Sequence, residues 1–597
     1  MSATDLNAKF ARQAWLRALE RTAGIEREPG VVWPIELDRL AAKHGSASAV
    51  EDRERRLSYV DLSRLAQRYA RWGLAQGLTR GDVVCLYMPN CVDYLAVWAG
   101  LNRIGVIVAL VNSQLVGAAL LHCVAIVAPK RFIVAAELAA AVSDIRLRLP
   151  ADLRVTVLGA SSHDFAPLEP ELARAAPEPL SEADCPVPEL GSTALYIYTS
   201  GTTGLPKAAR VSHHRVLQWS HWFAGMLDTQ PTDRMYDCLP LYHSVGGVVA
   251  TGATLLGGGS VVLRKRFSAS DFWRDVREEG CTLFQYIGEL CRYLVNAAPQ
   301  PDEQQHSLRV ACGNGLRPEV WLPFQQRFRV PRVLEYYAST EGTFSLYNCE
   351  GEPGAIGRIP PFLAARMPVA LLRFDVDAGQ PKRNADGFCE RCEPDEIGEA
   401  VGLIAGEDAG HGGRFEGYAD PDASSRKVLR RVFAPDDAWY RTGDLMRRDA
   451  RGFYYFVDRV GETYRWKGEN VSTAEVLSTL TALPGVLEGV VYGVAVPGAD
   501  GRAGMAALVV GPSFDLAGFR SAVAAALPPY ARPVFLRILE ALEATGTFKP
   551  KKQTLIEAGF DPAGSADPLY VDDGRRQAYV RIDGELYDRI RNGTLRL

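Results

Sequence analysis

Residues 104–129 contain no Asp, Glu, Lys or Arg, and this gap constrains the fold more than any other stretch of the chain. A charge-free run of this length can cross a bilayer as a helix. Its interior argues otherwise, because Asn112, Ser113, Gln114 and Gly117 interrupt it and Pro129 closes it. Ile104 to Val111 reads as a short buried strand, Leu115 to Val127 as a helix running into a strand, and Phe132-Ile133-Val134 as the strand beyond. A soluble βαβ core fits these breaks better than a transmembrane helix. The neighbouring sequence repeats the alternation, with Val83 to Leu86 as strand, Val92 to Leu101 as helix and Val106 to Leu110 as strand. It recurs near 193–227 and 281–297. Alternating strands and helices of this kind build α/β layers with largely parallel sheets.

At 597 residues the chain exceeds one ordinary core, so two or more domains are expected. Apolar residues at 47% and charged residues at 23% exclude a long disordered chain. Lys and Arg (67) nearly cancel Asp and Glu (71), leaving no bulk basic field to hold nucleic acid. The 11 cysteines are too sparse for a disulfide scaffold, and the N-terminus lacks the apolar core of a signal peptide. Together these point to a reducing, cytoplasmic compartment. Cys389 and Cys392 form a single CxxC without the second pair of a zinc site, so a structural or incidental role is expected. Residues 160–190, rich in Ala, Pro, Glu and Ser, read as a surface connection. A smaller unit closes the chain after Asp458-Arg459, with Val490 to Val494 and a helix around Leu516 to Leu527.

The segment Tyr196-Ile-Tyr-Thr-Ser-Gly-Thr-Thr-Gly-Leu-Pro-Lys207 carries the strongest chemical signal. Bulky strand-forming residues lead into a loop dense in hydroxyls and glycine. Gly201 and Gly204 let backbone N–H groups approach a ligand. Ser200, Thr202 and Thr203 can donate to phosphate oxygens, and Lys207 adds a positive charge. The spacing is not that of a Walker A loop, which needs four residues between its glycines and Lys-Ser/Thr directly after the second.

Thr199–Lys207 resembles the phosphate loop of the AMP-forming adenylating enzymes, which include acyl-CoA synthetases, luciferases and peptide-synthetase adenylation domains. Tyr336-Tyr-Ala-Ser-Thr-Glu341 resembles their Tyr-Gly-x-Thr-Glu segment, and Tyr440-Arg-Thr-Gly-Asp444 their Tyr-x-Thr-Gly-Asp segment, all in family order. The closer likeness is to the fatty acid transport protein and very-long-chain acyl-CoA synthetase branch. It is carried by Tyr286–Tyr293, Arg465–Ser472 and Gly501–Ala506, and covers roughly residue 50 to the C-terminus.

The resemblance implies an α/β chain with a large, multi-layer adenylate-forming domain of mixed sheets at residues 1–460. A small, mobile α+β domain would follow at 461–597. It implies an ATP-dependent long- or very-long-chain fatty acyl-CoA synthetase using ATP, Mg²⁺ and coenzyme A, in which acid and ATP give an acyl-adenylate and CoA then displaces AMP. Thr199, Ser200, Gly201, Thr202, Thr203, Gly204 and Lys207 would cradle the β- and γ-phosphates. Thr340 would contact the α-phosphate and Glu341 would bind Mg²⁺. Gly313, Asn314, Gly315 and Leu316 resemble the adenine-side loop, with Tyr336, Tyr337, Ala338 and Ser339 also in the nucleotide site. Asp444 would accept from the ribose hydroxyls, with Arg459 beside it.

His243 falls where many members place a residue near the acyl carboxylate; a structural histidine is the other reading. Tyr286, Gly288 to Leu290 and Tyr293 read equally as acyl-tunnel wall or as core helix. Lys549, in Thr545-Gly-Thr-Phe-Lys549, would reach the carboxylate and α-phosphate, although Phe548 stands where the broad family has glycine. Gly461 sits at the hinge, where relatives usually carry Asp or Lys. Rotation there would exchange Lys549 for Lys467, Gly468 and Glu469 on the CoA side, with Arg502 for the CoA phosphates. Two alternatives stay open: a fatty-acid transport or uptake protein, and a ligase for bile-acid or sterol side-chain acids. Small-molecule substrates are expected rather than nucleic acid. Peripheral contact with the inner face of a membrane is compatible with the sequence, and oligomeric state is not readable from it.

Overall fold

The computed structural model describes residues 3–159, 164–199, 206–375, 378–406, 413–460, 463–466, 469–497, 499, 501–543 and 552–595. The chain forms two compact units, Met1–Ile359 with Leu403–Val428, and Pro360–Gly402 with Leu429–Leu597.

The charge-free stretch of the sequence lies in the middle of the first unit. Helix Val92–Arg103 is buried along nearly its whole length and leads into strand Ile107–Leu110. Helix Gly117–Ala125 comes next. It does not run into a strand. The Ile126 N–H closes on the His122 carbonyl, and Ala128 turns at φ 44° ahead of Pro129. The next strand therefore starts only at Arg131 and ends at Ala135. Among the described residues no helix is long and apolar enough to cross a membrane.

These strands belong to a seven-stranded sheet. Its order is Ala166–Pro167, Arg154–Leu158, Arg131–Ala135, Val83–Tyr87, Ile107–Leu110, Thr193–Thr199 and Lys207–Ser212. All neighbours are parallel except the last pair, which is antiparallel and matches Thr199 with Lys207. A second sheet of this unit places Ser48–Glu51, Ser260–Leu263, Arg234–Asp237, Leu283–Ile287, Val310–Asn314 and Val333–Ala338 side by side and parallel. Ser345–Asn348 then pairs antiparallel to Val333–Ala338. Such strands, covered on both faces, need no polar alternation, which is why they read as continuous apolar runs.

Much of the 160–190 connection lies on helix Tyr59–Ala75 instead of in a sheet. Arg68 donates to the carbonyls of Leu172, Ala173 and Ala175, and Arg71 to those of Glu178 and Pro179. Arg103, only 1% exposed, donates to Leu180 and Cys185. A segment without a strand partner must satisfy its backbone carbonyls elsewhere, and here guanidinium groups do it.

In the second unit, strands Gln380–Pro381, Val369–Asp375, Gly398–Leu403, Ala438–Arg448 and Phe453–Arg459 lie in that order. A separate five-stranded sheet runs Val486–Ala495, Arg502–Val510, Phe535–Leu539, Leu569–Asp573 and Ala578–Arg581. Residues 360–402 and 429–460, grouped by sequence with the first domain, thus fall in the compact unit that holds the C-terminal residues. Hydrogen bonds join them to the helix beginning at Thr473: Ser472 Oγ donates to the Val457 carbonyl, and buried Asp458 accepts from the Thr473 N–H at 2.6 Å. The helix expected at Leu516 to Leu527 spans Leu516–Ala526. Cys389 and Cys392 are free thiols.

Candidate active site

The phosphate-loop sequence joins the two antiparallel strands at the edge of the seven-stranded sheet. Thr199 ends one strand and Lys207 begins the next, directly across the ladder. Ser200, Gly201, Thr202, Thr203 and Gly204 lie outside the described residues.

A segment far away in sequence completes this corner of the first unit. Ala209 pairs with Tyr418, the Arg210 N–H donates to the Gly417 carbonyl, and the Ala419 N–H donates to the Ala208 carbonyl. The Tyr418 ring, 3% exposed, lies 5.7 Å from the Lys207 ammonium nitrogen. Its hydroxyl donates to Glu341 Oε1 at 2.5 Å and also meets the Thr199 side chain. Burial, reinforced by the Glu341 charge, raises the Tyr418 hydroxyl far above the ordinary tyrosine range, so it remains a donor.

Thr340 and Glu341 come after the strand Val333–Ala338, at a turn closed by the Gly342 N–H on the Ser339 carbonyl. Arg215, on helix His213–Leu227, holds this turn from behind. Its guanidinium donates to the Thr340 carbonyl at 2.9 Å and to the Arg414 carbonyl at 2.7 Å, and stands 3.4 Å from Glu416. Glu416 in turn accepts from the Ser212 N–H and hydroxyl. Thr340 Oγ1 lies 3.4 Å from Ser244 Oγ. Lys207, Thr340 and Glu341 are thus braced through Tyr418 and Arg215 in one unit.

His243 lies in the loop between strand Arg234–Asp237 and a π-helical turn, Val245–Ala250. Asn90 pins this loop, donating to the Leu239 carbonyl and accepting from the Leu241 N–H. The His243 carbonyl accepts from the Gly247 N–H, and its ring lies 4.6 Å from that of Tyr242, tilted by 56°.

Gly313 and Asn314 end strand Val310–Asn314, and Gly315 turns at φ 78°. A Cβ on Gly288 would lie 1.8 Å from the Gly315 carbonyl oxygen, and one on Gly313 would lie 2.2 Å from that of Tyr286. Two strand ends therefore meet backbone to backbone. Beneath them Glu335, 1% exposed, accepts from the Leu316 N–H at 3.2 Å and from the Tyr286 hydroxyl at 2.5 Å. Burial outweighs these bonds and pushes the Glu335 carboxyl up to about 8. Tyr286 and Leu290 are fully buried, and Tyr286 serves this core contact. Tyr336 is buried against Phe223, and the Tyr337 ring packs on Phe344 at 5.9 Å. Ala338 is exposed and Ser339 half-buried.

The second unit holds the remaining described positions. Asp444 and Arg459 are ladder partners, with Arg459 Nε 3.4 Å from Asp444 Oδ1. Asp444 is 7% exposed and its N–H donates to Thr442 Oγ1. Behind it Arg441 grips fully buried Glu399, which also accepts from the Gly443 N–H. Glu469 begins the second strand of a hairpin, opposite Trp466. Arg502 begins strand Arg502–Val510 and is exposed. Gly461, Lys467, Gly468 and Lys549 lie outside the described residues.

Sequence reading missed Tyr418, Arg215, Glu416 and Glu335. Glu416 and Tyr418 sit in a glycine-dense stretch, Gly410 to Tyr418, that resembles no motif used above, and the partners of all four are distant in sequence. Only Glu335, an acid inside an apolar strand, left a readable mark.

Residues 37–381 match the AMP-binding enzyme family and residues 475–549 match the AMP-binding enzyme C-terminal domain. The chain belongs to the AMP-binding enzyme family. It is 40% identical over 531 residues to mouse (Mus musculus) long-chain fatty acid transport protein 1, covering 87% of this chain and 81% of the relative. It is 40% identical over 547 residues to human (Homo sapiens) long-chain fatty acid transport protein 6, covering 90% and 87%. Among solved structures, the anthranilate CoA ligase AuaEII in complex with anthranoyl-AMP superposes with a TM-score of 0.75 at 20% identity, covering 88% of this chain and 97% of that one. ATP-bound MatB from Rhodopseudomonas palustris gives 0.73 at 21% identity, covering 89% and 99%. A Mycobacterium tuberculosis fatty acyl CoA synthetase gives 0.62 at 22%, covering 88% and 98%. The fold of this family member is therefore that of adenylate-forming enzymes, with a large N-terminal and a small C-terminal domain.

Proposed function

We propose that this family member is an AMP-forming long- or very-long-chain fatty acyl-CoA synthetase. It joins a fatty acid, ATP and CoA into acyl-CoA, AMP and pyrophosphate through an acyl-adenylate. The observation that carries this reading is the cluster of Lys207, Thr340 and Glu341 braced around Tyr418. The names of the 40% identical relatives support a long-chain acid as substrate.

A carboxylate is a poor electrophile because its charge repels a nucleophile, so the enzyme must first supply a leaving group. The acid's oxygen attacks the α-phosphorus of ATP and pyrophosphate departs. Lys207, with the loop Thr199–Gly204, would hold the phosphates, and Thr340 the α-phosphate. Glu341 would hold Mg²⁺. A single, nearly buried carboxylate fits that ion, which takes few protein ligands and completes its shell with phosphate oxygens and water. Bound there, Mg²⁺ would offset phosphate charge. The backbone at Gly313 to Leu316 and the Tyr337 ring would bound the adenine, and Asp444, with Arg459, the ribose. Lys549 would balance the charge that builds between carboxylate and α-phosphate.

In the second half the CoA sulfur attacks the acyl carbonyl and AMP leaves. Residues 461–597 would act as the mobile domain, turning about Gly461 to exchange Lys549 for Lys467, Gly468 and Glu469, with Arg502 on the CoA phosphates. His243 is assigned to the carboxylate end of the acid. We place the enzyme in the cytoplasm, in peripheral contact with the inner face of a membrane where its acid partitions.

Purified protein with a long-chain acid and Mg·ATP should form bound acyl-AMP, and CoA should then release AMP and thioester. Release of ADP and free phosphate would overturn the reading. Fatty-acid uptake is a second reading, favoured by the relatives' names. Uptake by acid consumption demands ATP-dependent CoA use by the soluble protein, and uptake without ligation does not.

A further inference from the structure

We infer that Tyr418 is a positioning residue for the cation-binding carboxylate. Its hydroxyl fixes Glu341 through one oxygen, which leaves the other oxygen for Mg²⁺ on ATP. The inference rests on the functional reading above and assigns a role to a side chain outside the phosphate loop and the Thr340–Glu341 turn. Three observations carry it. The Tyr418 hydroxyl donates to Glu341 Oε1 at 2.5 Å, with both side chains almost wholly buried. Tyr418 itself cannot drift, because Ala209 pairs with it, flanking backbone bonds tie it to the strand beginning at Lys207, and its N–H donates to Ser424 Oγ at 2.8 Å. Its ring also faces the Lys207 ammonium. One aromatic residue therefore touches the loop's lysine, the strand end at Thr199 and the carboxylate across from them.

The physical role comes from the geometry. A carboxylate on a turn can rotate about its side-chain bonds, and a divalent ion bound by one protein ligand gains less from a ligand that must be immobilised first. A buried hydroxyl bonded to one oxygen removes that freedom beforehand. Arg215 does the same for the backbone, holding the Thr340 carbonyl. The brace acts on Mg·ATP and not on AMP alone, since AMP offers no phosphate chain for the cation to bridge.

Calorimetric titration of the full chain tests this without turnover. Tyr418→Phe keeps the ring by Lys207 and removes only the oxygen. It should weaken Mg·ATP binding about tenfold, the scale of one hydrogen bond to a charged group, while AMP without metal binds within about twofold of wild type. In a Glu341→Gln background the same change should be nearly silent. Ser424→Ala, which loosens the Tyr418 backbone and leaves both side chains intact, should give a smaller loss of the same pattern. It serves as the test if Tyr418→Phe does not fold. Equal weakening of both ligands, or unchanged Mg·ATP binding, overturns the inference. Failure of the wild-type chain to bind either nucleotide overturns the functional reading and the inference together.

Discussion

Glu335 shows how a single buried acid couples the turn at Gly315 and Leu316 to pH. Its neighbours are the Tyr286 hydroxyl, the Leu316 N–H, the thiols of Cys291 and Cys312, and Tyr336. No cation is among the groups that shift it, so burial sets its titration near 8, above the ordinary glutamate value of 4.5. Between those two values the folded protein holds a proton that the unfolded chain has lost. Stability therefore falls as pH rises from about 4.5 to about 8 and levels above it, a change on the order of a few kcal/mol. Glu335→Gln keeps an acceptor for the Leu316 N–H and cannot titrate. Its melting temperature should therefore fall less than wild type's between pH 5 and 8 in parallel thermal scans. A slope as steep as wild type's would show that other groups set the dependence. The residues proposed for phosphate and metal could be picked out in the sequence because they cluster in short motifs. Arg215 and Tyr418 could not, because each acts on a partner that only the folded chain brings near; Glu335 is marked as an acid inside an apolar strand, but its partners are not.

At the scale of elements, strands and helices were legible wherever apolar periodicity was long, and illegible where an element ended for a backbone reason. The helix after Asn112 stops at Ala125 because Ala128 and Pro129 turn the chain, which leaves Ile126 and Val127 outside any strand. The stretch 169–187 holds only the short helix Glu169–Arg174, and its remainder was illegible because arginines from neighbouring helices take many of its carbonyls. A comparable contact crosses the hinge position in sequence. Buried Asp458 accepts from the N–H and hydroxyl of Thr473, at the start of helix Thr473–Thr481. If residues 461–597 turn about Gly461, this latch must open. Thr473→Val removes the hydroxyl and spares the N–H bond. It should shift the partition between half-reactions, raising the rate of thioester formation from supplied acyl-AMP by a few-fold relative to adenylation in single-turnover assays. An unchanged ratio would show that the latch stays closed through the cycle.

At the scale of the whole molecule, the division of labour between the halves is the strongest expectation. Lys549→Ala should stop acyl-AMP formation yet still convert supplied acyl-AMP and CoA to thioester. Gly461→Pro, with φ fixed near −65°, should form acyl-AMP and fail at the thioester. Equal loss of both halves in folded Lys549→Ala protein would remove the rotation from the mechanism. Family and fold class were readable because several motifs occur in order along one chain. The compact units were not, because the first of them is discontinuous, taking Leu403–Val428 from beyond a segment that packs elsewhere. That discontinuity has a consequence for biosynthesis. The ribosome delivers Lys207, Thr340 and Glu341 well before the brace that fixes them. Until residues 414–418 emerge, Arg215 lacks the Arg414 carbonyl and Glu416, and Glu341 lacks its hydroxyl donor. A guanidinium buried without those partners is costly, so this corner stays open on the nascent chain. A nucleotide site built on these residues, as proposed, would thus mature late in translation, after most of the chain has been made.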